Sequence, residues 1–447
     1  MFLKTFKQGG IFPKTNKFAS AVATQKLPLP SLVKIPLSNH IGAPSIPLVQ
    51  INEYVKVGQL IAKADGFISA NVHSSVSGKV LKIDSVISNA GIEQRAIYIE
   101  VIGDEWESTI DQSRDLIKEC TFTSEEIRSK ITEAGIVGLG GATFPTHVKL
   151  NIPETKKATT LIINGVECEP YLTCDHRLML EHGEEILVGV SILMNAISVE
   201  KAIIGIEINK SDAIKHLKNL SKSYKGIQII GLKMKYPQGG EKQLIEALTN
   251  KKVPSGGLPI DIGCVVQNVA TSYAVYEAVQ KNKPLVERIL TITGKSVQSH
   301  GNFWARIGVP LTHIVEHTGG VPSDTGKIII GGPMMGKALN TLESVVYKGT
   351  SSLLYIPTIE SVLKTSSNCI KCSKCIVDCP MGLEPYLLMS QCENSNWDDM
   401  EQNRVLDCID CGCCDYVCPS NRPLLFHIKR GKEEVVKNIK QRNTQKK

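Results

Sequence analysis

Two cysteine runs near the C-terminus carry the strongest chemical signal in the chain. Cys369-x2-Cys372-x2-Cys375-x3-Cys379-Pro380 recurs as Cys408-x2-Cys411-x2-Cys414-x3-Cys418-Pro419. This spacing is the two-cluster iron–sulfur run. Three thiolates on one tight loop reach three corners of a cubane, and the loop's backbone N–H groups offset the charge on its sulfides. The fourth cysteine lies one helical turn further on and faces the partner cluster. Cys369, Cys372, Cys375 and Cys418 are therefore assigned to one 4Fe–4S cluster, and Cys408, Cys411, Cys414 and Cys379 to the other. Zinc sites use isolated pairs with longer gaps and fit this pattern poorly. Cys413 sits inside the second run but off its spacing. With Cys120, Cys168, Cys174, Cys264 and Cys392 it reads as a small buried hydrophobe.

Three further segments have the composition of a ligand site. Gly138-Leu139-Gly140-Gly141-Ala142-Thr143-Phe144-Pro145 lets backbone N–H groups approach a phosphate, and Lys149 adds a positive charge. No Gly-Lys-Ser/Thr ends this loop and no strand leads directly into it, so it is neither a Walker loop nor the dinucleotide fingerprint. A structural turn remains an alternative on composition alone. Asn164-Gly165-Val166-Glu167-Cys168-Glu169-Pro170 leaves the C-terminal end of an apolar run, where ligands of open α/β sheets bind. Tyr236-Pro237-Gln238-Gly239-Gly240-Glu241 also leaves a strand and opens a helix.

The elements that must hold these residues follow from periodicity. Residues 1–105 read as β, with alternation over 55–61 and punctuation by Gly66, Gly78 and Gly91. The pattern over 55–80 resembles a barrel-sandwich hybrid of the lipoyl-carrier type. Lys63 follows Ala62 and not Asp, so lipoylation is not expected. Thr123 and Glu126 form a capping box that opens a helix closed by Gly135. Strands at 160–163, 201–208 and 227–232 then alternate with helices, the last starting near Asn268, which implies a parallel sheet over 120–285. Strands at 289–292 and 327–330 with a helix at 311–317 suggest a β-grasp module over 286–345. Residues 346–367 read as a linker, 368–428 as the double-cluster domain, and 429–447 as a basic frayed helix or tail.

Taken together, the glycine loop, the Asn164-to-Pro170 segment, the Tyr236 segment and the helix start at Asn268 resemble the flavoprotein subunit of respiratory complex I. The counterparts are Gly138, Gly140, Gly141, Phe144, Lys149, Asn164, Glu167, Glu169, Tyr236, Gly239, Glu241 and Asn268, with Val166 where that family often has Asp. The two cysteine runs and the β domain beginning Gly9-Gly10-Ile11-Phe12-Pro13-x3-Lys17 extend beyond that flavoprotein. Both are similar to the RnfC family of the Rnf electron-transport complex, whose ordered parts cover nearly the whole chain. The resemblance implies a multidomain α/β protein: a barrel-sandwich domain, a Rossmann-like FMN/NADH core, a β-grasp module and a ferredoxin-like end. It also implies FMN and NAD(H) as cofactors beside the two clusters, with Glu167 and Glu169 contacting FMN or NADH. The implied activity is electron exchange between NAD and ferredoxin, coupled to Na⁺ or H⁺ movement through membrane partner subunits. No side chain is expected to act as a catalytic acid or base. The alternatives are a cobalamin reductase of the propanediol-utilisation type and a flavin-free iron–sulfur adaptor.

Composition sets outer bounds. Aromatics make up 5% of residues and the net charge is only +7, which argues against a nucleic-acid partner. No run reaches the ~18 apolar residues of a membrane span and the first ten residues lack an apolar signal segment, so a cytoplasmic place is expected, and the resemblance implies that it is peripheral on the cytoplasmic face of a membrane. His313-x2-Glu316-His317 matches an inverted zinc-protease pattern, but Pro310 and Gly319-Gly320 bound a helix too short for it. It reads as a surface helix. Residues 331–336, Gly-Gly-Pro-Met-Met-Gly, read as a nucleotide contact or as a turn ending a strand. The lysine-rich tail reads as a solvated tail, or as a contact for anionic lipid or an acidic partner.

Overall fold

The computed structural model describes residues 3–445. Four parallel strands form the middle of the chain, in the order Ile227–Leu232, Ala202–Glu207, Thr160–Asn164, Cys264–Asn268. Their side chains alternate between two apolar layers, as the period of two requires. Leu161, Ile163, Ile204 and Val265 face the helices Ser124–Glu133, Gly183–Ala196 and Val269–Gln280. Ile162, Ile203 and Val266 face the helix Glu241–Thr249. Such runs are buried on both sides and therefore continuously apolar. The capping box forms as expected: Thr123 Oγ1 accepts from Glu126 N, and Thr123 N donates to Glu126.

The N-terminal β domain packs a four-stranded antiparallel sheet (Leu32–Pro36, Glu93–Gly103, Ser77–Ile87, Tyr54–Val55) against a three-stranded one (Ile46–Pro47, Leu60–Lys63, Val72–His73). Val33, Ile35, Ile61, Val72, Val80 and Ile97 fill the space between them. The segment before Leu32 stands outside these two sheets. Lys4 bridges to Leu232, Ile11 to Tyr236, and Gln25–Lys26 adds a strand beside Phe303–Trp304.

A six-stranded sheet follows, in the order Gln25–Lys26, Gly301–Arg306, Glu287–Gly294, Ser352–Pro357, Thr325–Ile330, Lys337–Ala338. Glu287–Gly294 and Ser352–Pro357 run parallel at its centre, and the helix Leu311–His317 packs its Leu311, Ile314 and Val315 into the same core. The linker expected over 346–367 is thereby corrected. Ser352–Pro357 is a central strand with Leu353, Leu354 and Tyr355 buried. Its flanking serines and terminal proline look like breakers, but Pro357 stands at the strand's last position, where a missing N–H costs little.

The cysteine-rich end is helical: Lys374–Val377, Pro385–Glu393, Trp397–Gln402, Cys413–Val417 and Leu424–Gln445. Residues 429–445 continue that last helix, with Ile428 and Val435 buried, so the helical expectation for this stretch holds and the separate boundary at 428 does not. No helix among the described residues is long and apolar enough to cross a membrane.

Candidate functional site

Both cysteine runs use one backbone device. Lys371 and Ser373 in the first, and Asp410 and Gly412 in the second, adopt positive φ between successive cysteines. These left-handed residues curl the loop so that N–H groups turn inward. Lys371 N points at Cys369 Sγ, Leu383 N at Cys379 Sγ and Arg422 N at Cys418 Sγ, each at 3.4 Å. Cys379, Cys408, Cys411 and Cys414 line one cavity with Pro380, Gly412 and Leu425. Burial pushes the Cys375 thiol up, and Cys418, Cys369 and Cys372 are its neighbours. All the cysteines are free thiols. Burial also pushes Cys408 up to about 12. Converging buried thiols without a cation are held protonated, and a metal among them would ionise them. The donor set therefore fits iron–sulfur clusters, with Cys379 reaching across to the second run. Cys413 is fully buried beside these thiols and lines the same cavity.

The glycine loop turns back on itself through Gly138 N donating to Phe144 O (2.9 Å) and Thr143 N to Gly138 O (3.1 Å). Gly141 has φ +107° and open space where a side chain would stand. A backbone with that φ and that exposure suits close approach of a phosphate. Gly140 lies against Asn268, 3.4 Å from the position of a Cβ. Asn268 caps its helix by accepting from Ala270 N, and its amide donates to Asp175 Oδ2 (2.8 Å) and Asn164 O (3.3 Å). Asn164 donates to Gly239 O (2.9 Å). Lys149 pairs with Glu241 (2.7 Å) and bonds Val266 O (3.2 Å). These residues come together at the carboxyl edge of the parallel sheet, where Thr160–Asn164 and Cys264–Asn268 end. Glu167 Oε2 and Gln267 Nε2 are buried there without hydrogen-bond partners, although the Lys17 ammonium stands 3.8 Å from Glu167 Oε2 as an ion pair. Orphaned polar atoms beside an open glycine loop fit a polar ring system with a phosphate, as FMN has.

Three expected residues have other partners. Glu167 spends Oε1 on Asp175 N (2.8 Å), at the start of the helix Cys174–Glu181. Both oxygens of Glu169 accept backbone N–H groups, from Met334 (3.1 Å) and Met335 (2.8 Å). Burial raises its pKa to about 7 despite those two bonds. Tyr236 also has a protein partner. It is buried, and its hydroxyl donates to Cys411 O (2.8 Å). It thus joins the nucleotide-side core to the cysteine loop, in a cluster with Ile11, Cys411, Cys413 and Met334.

Other contributors lie outside the expected site residues. Lys17 donates to Glu167 O (2.8 Å), Glu169 O (2.9 Å) and Leu172 O (2.6 Å), locking the whole acidic loop. The Gly9-to-Lys17 motif was its sequence signal. Asp175, beside Asn268, is raised to about 7 by burial and then by Glu167. Residues 331–336 form a turn that carries the N–H groups bonded by Glu169, and Met334 O lies 3.2 Å from where a Gly412 Cβ would be. In the His313 pair, His313 Nε2–H donates to Pro28 O and His317 Nδ1–H to His313 O, each at 2.8 Å, on a helix of 7 residues.

A glycine-loop α/β core that shares a buried contact with a double four-cysteine fold defines an electron-transfer protein of the flavin–iron–sulfur type. Family models match in the same order: the RnfC barrel sandwich hybrid domain over residues 4–104, the Nuo51 FMN-binding domain over 131–277 and the SLBB domain over 289–338. The C component of the proton-translocating ferredoxin:NAD(+) oxidoreductase complex of Clostridium ljungdahlii is 43% identical over 435 residues, 97% of this chain and 94% of that protein. Its Na(+)-translocating counterpart in Acetobacterium woodii is 41% identical over 441 residues, 97% of each. The C component of the ion-translocating oxidoreductase complex of Rhodobacter capsulatus is 37% identical over 432 residues, 95% of this chain and 82% of that one. The chain belongs to this RnfC family. Among solved structures, an NAD+-reducing NiFe hydrogenase in the H2-reduced state aligns with a TM-score of 0.49 and 19% identity, covering 70% of this chain and 63% of that one.

Proposed function

We propose that the chain is the NADH- and FMN-binding peripheral subunit of a membrane complex that passes electrons between NAD(H) and ferredoxin, with ion translocation in partner subunits. The observation that carries this reading is the joint between its two sites. Tyr236 and Glu169 leave the carboxyl edge of the flavin-type core and bond, respectively, the Cys411 loop and the Met334–Met335 turn beside it. FMN, when bound, converts the two-electron chemistry of nicotinamide into the single-electron chemistry of clusters. Gly138, Gly140 and Gly141 would hold its phosphate through N–H groups. Phe144 and Lys149 would border it, Asn164, Gly239, Glu241 and Asn268 would set its edge, and Glu167 would offer the oxygen that makes no hydrogen bond. Cys369, Cys372, Cys375 and Cys418 would hold one 4Fe–4S cluster; Cys379, Cys408, Cys411 and Cys414 would hold the other.

The division into a barrel-sandwich domain, an FMN/NADH core over 120–285, a β-grasp module and a double-cluster end is part of this reading. The parallel pair Glu287–Gly294 and Ser352–Pro357, with a helix between the flanking strands, supports the β-grasp and extends it past 345. The chain would lie on the cytoplasmic face of the membrane. The relatives' names favour this function over a cobalamin reductase. An anaerobic NADH titration of the reconstituted protein tests it. Bleaching of flavin absorbance followed by EPR signals of reduced 4Fe–4S clusters is expected. Reduction by dithionite alone, with no flavin released on denaturation, would leave only an iron–sulfur adaptor.

A further inference from the structure

The helix Leu311–His317 has two opposite faces. Leu311, Ile314 and Val315 are buried in the core that the helix shares with the six-stranded sheet. The helix starts after Pro310, and its end is closed by Gly320 N donating to Val315 O (2.8 Å), with Gly319 and Gly320 at positive φ. The backbone that carries the other face is thereby fixed. That face presents His313, Glu316 and His317. Residues at i, i+3 and i+4 share one side of a helix. Three ligands at this spacing need only one turn, so the shortness that excludes a protease helix still allows a metal site.

One ligand atom from each of these residues stands within 4.8 Å of the other two. Around a tetrahedral zinc ion, with bonds of roughly 2.0–2.2 Å, donor atoms stand about 3.3 Å apart. Glu316 and His317 are exposed, so small rotations of their side chains close the difference. The two imidazoles lie 4.1 Å apart, centroid to centroid, tilted by 39°. Each already spends one nitrogen on a backbone carbonyl: His313 Nε2–H donates to Pro28 O and His317 Nδ1–H to His313 O, each at 2.8 Å. A carbonyl only accepts, so these bonds place the proton of each neutral ring. His313 Nδ1 and His317 Nε2 are left with lone pairs. Metal-ligating histidines are held in this way, with the second N–H on a carbonyl that fixes tautomer and ring orientation. Glu316 brings the negative charge that two neutral imidazoles lack.

We propose that His313, Glu316 and His317 form a site for one zinc ion, with water in the fourth position. Two imidazoles and a carboxylate are donors that zinc takes. None of the three belongs to the cysteine sets or to the glycine-loop site, so the proposal is independent of the NADH-site reading. Because Pro28 O holds His313, a bound ion fastens the place where the N-terminal segment meets this helix. Leu27 and Leu29, on either side of Pro28, pack against the same core.

Calorimetric titration of the anaerobic, reconstituted full chain with ZnCl2 tests the assignment. Reconstitution fills the cysteine sets, and iron is measured before and after, so that zinc taken by cluster thiols is counted separately. The native chain is expected to bind one zinc ion with no loss of iron. Loss of a group that merely orients a ligand costs roughly 10–100-fold in metal affinity, so His317→Ala and Glu316→Gln are each expected to weaken binding by tenfold or more. Both side chains are exposed, so neither substitution disturbs the core. Thr312→Ala, next to His313 and outside the ligand set, is expected to bind as the native chain does. Equal affinity in the native chain and His317→Ala overturns the proposal. Zinc uptake matched by iron release also overturns it and places the ion at the cysteines. Absence of binding by the native chain does the same, as does equal weakening in Thr312→Ala, which would show a general disturbance of the helix.

Discussion

Glu169 shows how a residue recognised by its type can also carry a structural bond that its type does not announce. It leaves the strand Thr160–Asn164 within an acidic loop, which suggests a ligand contact. Its carboxylate clasps Met334 N and Met335 N, and Gly332 packs so closely on it that a Cβ there would stand 2.1 Å from Oε2. Two N–H donors favour the ionised form, but burial outweighs them and raises the pKa from 4.5 to about 7. For an acid with a raised folded pKa, its stabilising contribution is complete below 4.5 and is lost as pH rises through about 7. Glu169→Gln is neutral at every pH and removes that slope. Urea titrations of both proteins are expected to show the native chain's advantage shrinking by roughly 3 kcal/mol between pH 5 and pH 8. A constant gap would mean that Glu169 does not titrate in this window.

Elements declare themselves when their signal is local. The helix at Ser124–Glu133 was legible from its capping box, the buried parallel strands from apolar runs and the cysteine sets from spacing, whereas the glycine loop gained its meaning only beside the Asn164 and Tyr236 segments. Ser352–Pro357 was not legible, because its place is set by pairing with Glu287–Gly294 and Thr325–Ile330, far away in sequence. The protein partners of Tyr236 and Glu169 were not legible for the same reason: they are Cys411 and residues 334–335, on other elements. The N-terminal segment is the extreme case. It lacks regular structure of its own, yet its Lys17 fastens the loop from Glu167 to Leu172 through three carbonyls. Lys17→Met keeps the apolar stem and leaves those carbonyls unpaired. With hydrogen bonds to a charged group contributing about 1.5–3 kcal/mol each, a stability loss of about 3 kcal/mol or more is expected. Retained flavin is expected to fall while iron per chain stays constant, as measured by absorbance and metal analysis after gel filtration. Equal loss of both would show that the segment serves general folding.

At the scale of the whole molecule the two cysteine sets are not equivalent, although their sequences repeat. Cys379, Cys411 and Cys414 are buried, whereas Cys369 and Cys372 are exposed. The buried set adjoins the flavin-type core through Tyr236 and through Gly9 and Gly10, which pack on Cys379 and Asp378. Single-electron transfer weakens steeply with distance, so this asymmetry predicts a route: glycine-loop edge, then the set with Cys411, then the set with Cys372 at the surface. Substitution at each set tests the order. Cys411→Ser is expected to leave the Cys369, Cys372, Cys375, Cys418 set reducible by dithionite but not by NADH within the turnover time. Cys372→Ser is expected to leave the Cys411 set reducible by both. EPR after anaerobic mixing reads each case, and iron content shows whether the untouched set is intact. NADH reduction of the exposed set in Cys411→Ser would reverse the order and make the Tyr236 contact a structural joint alone.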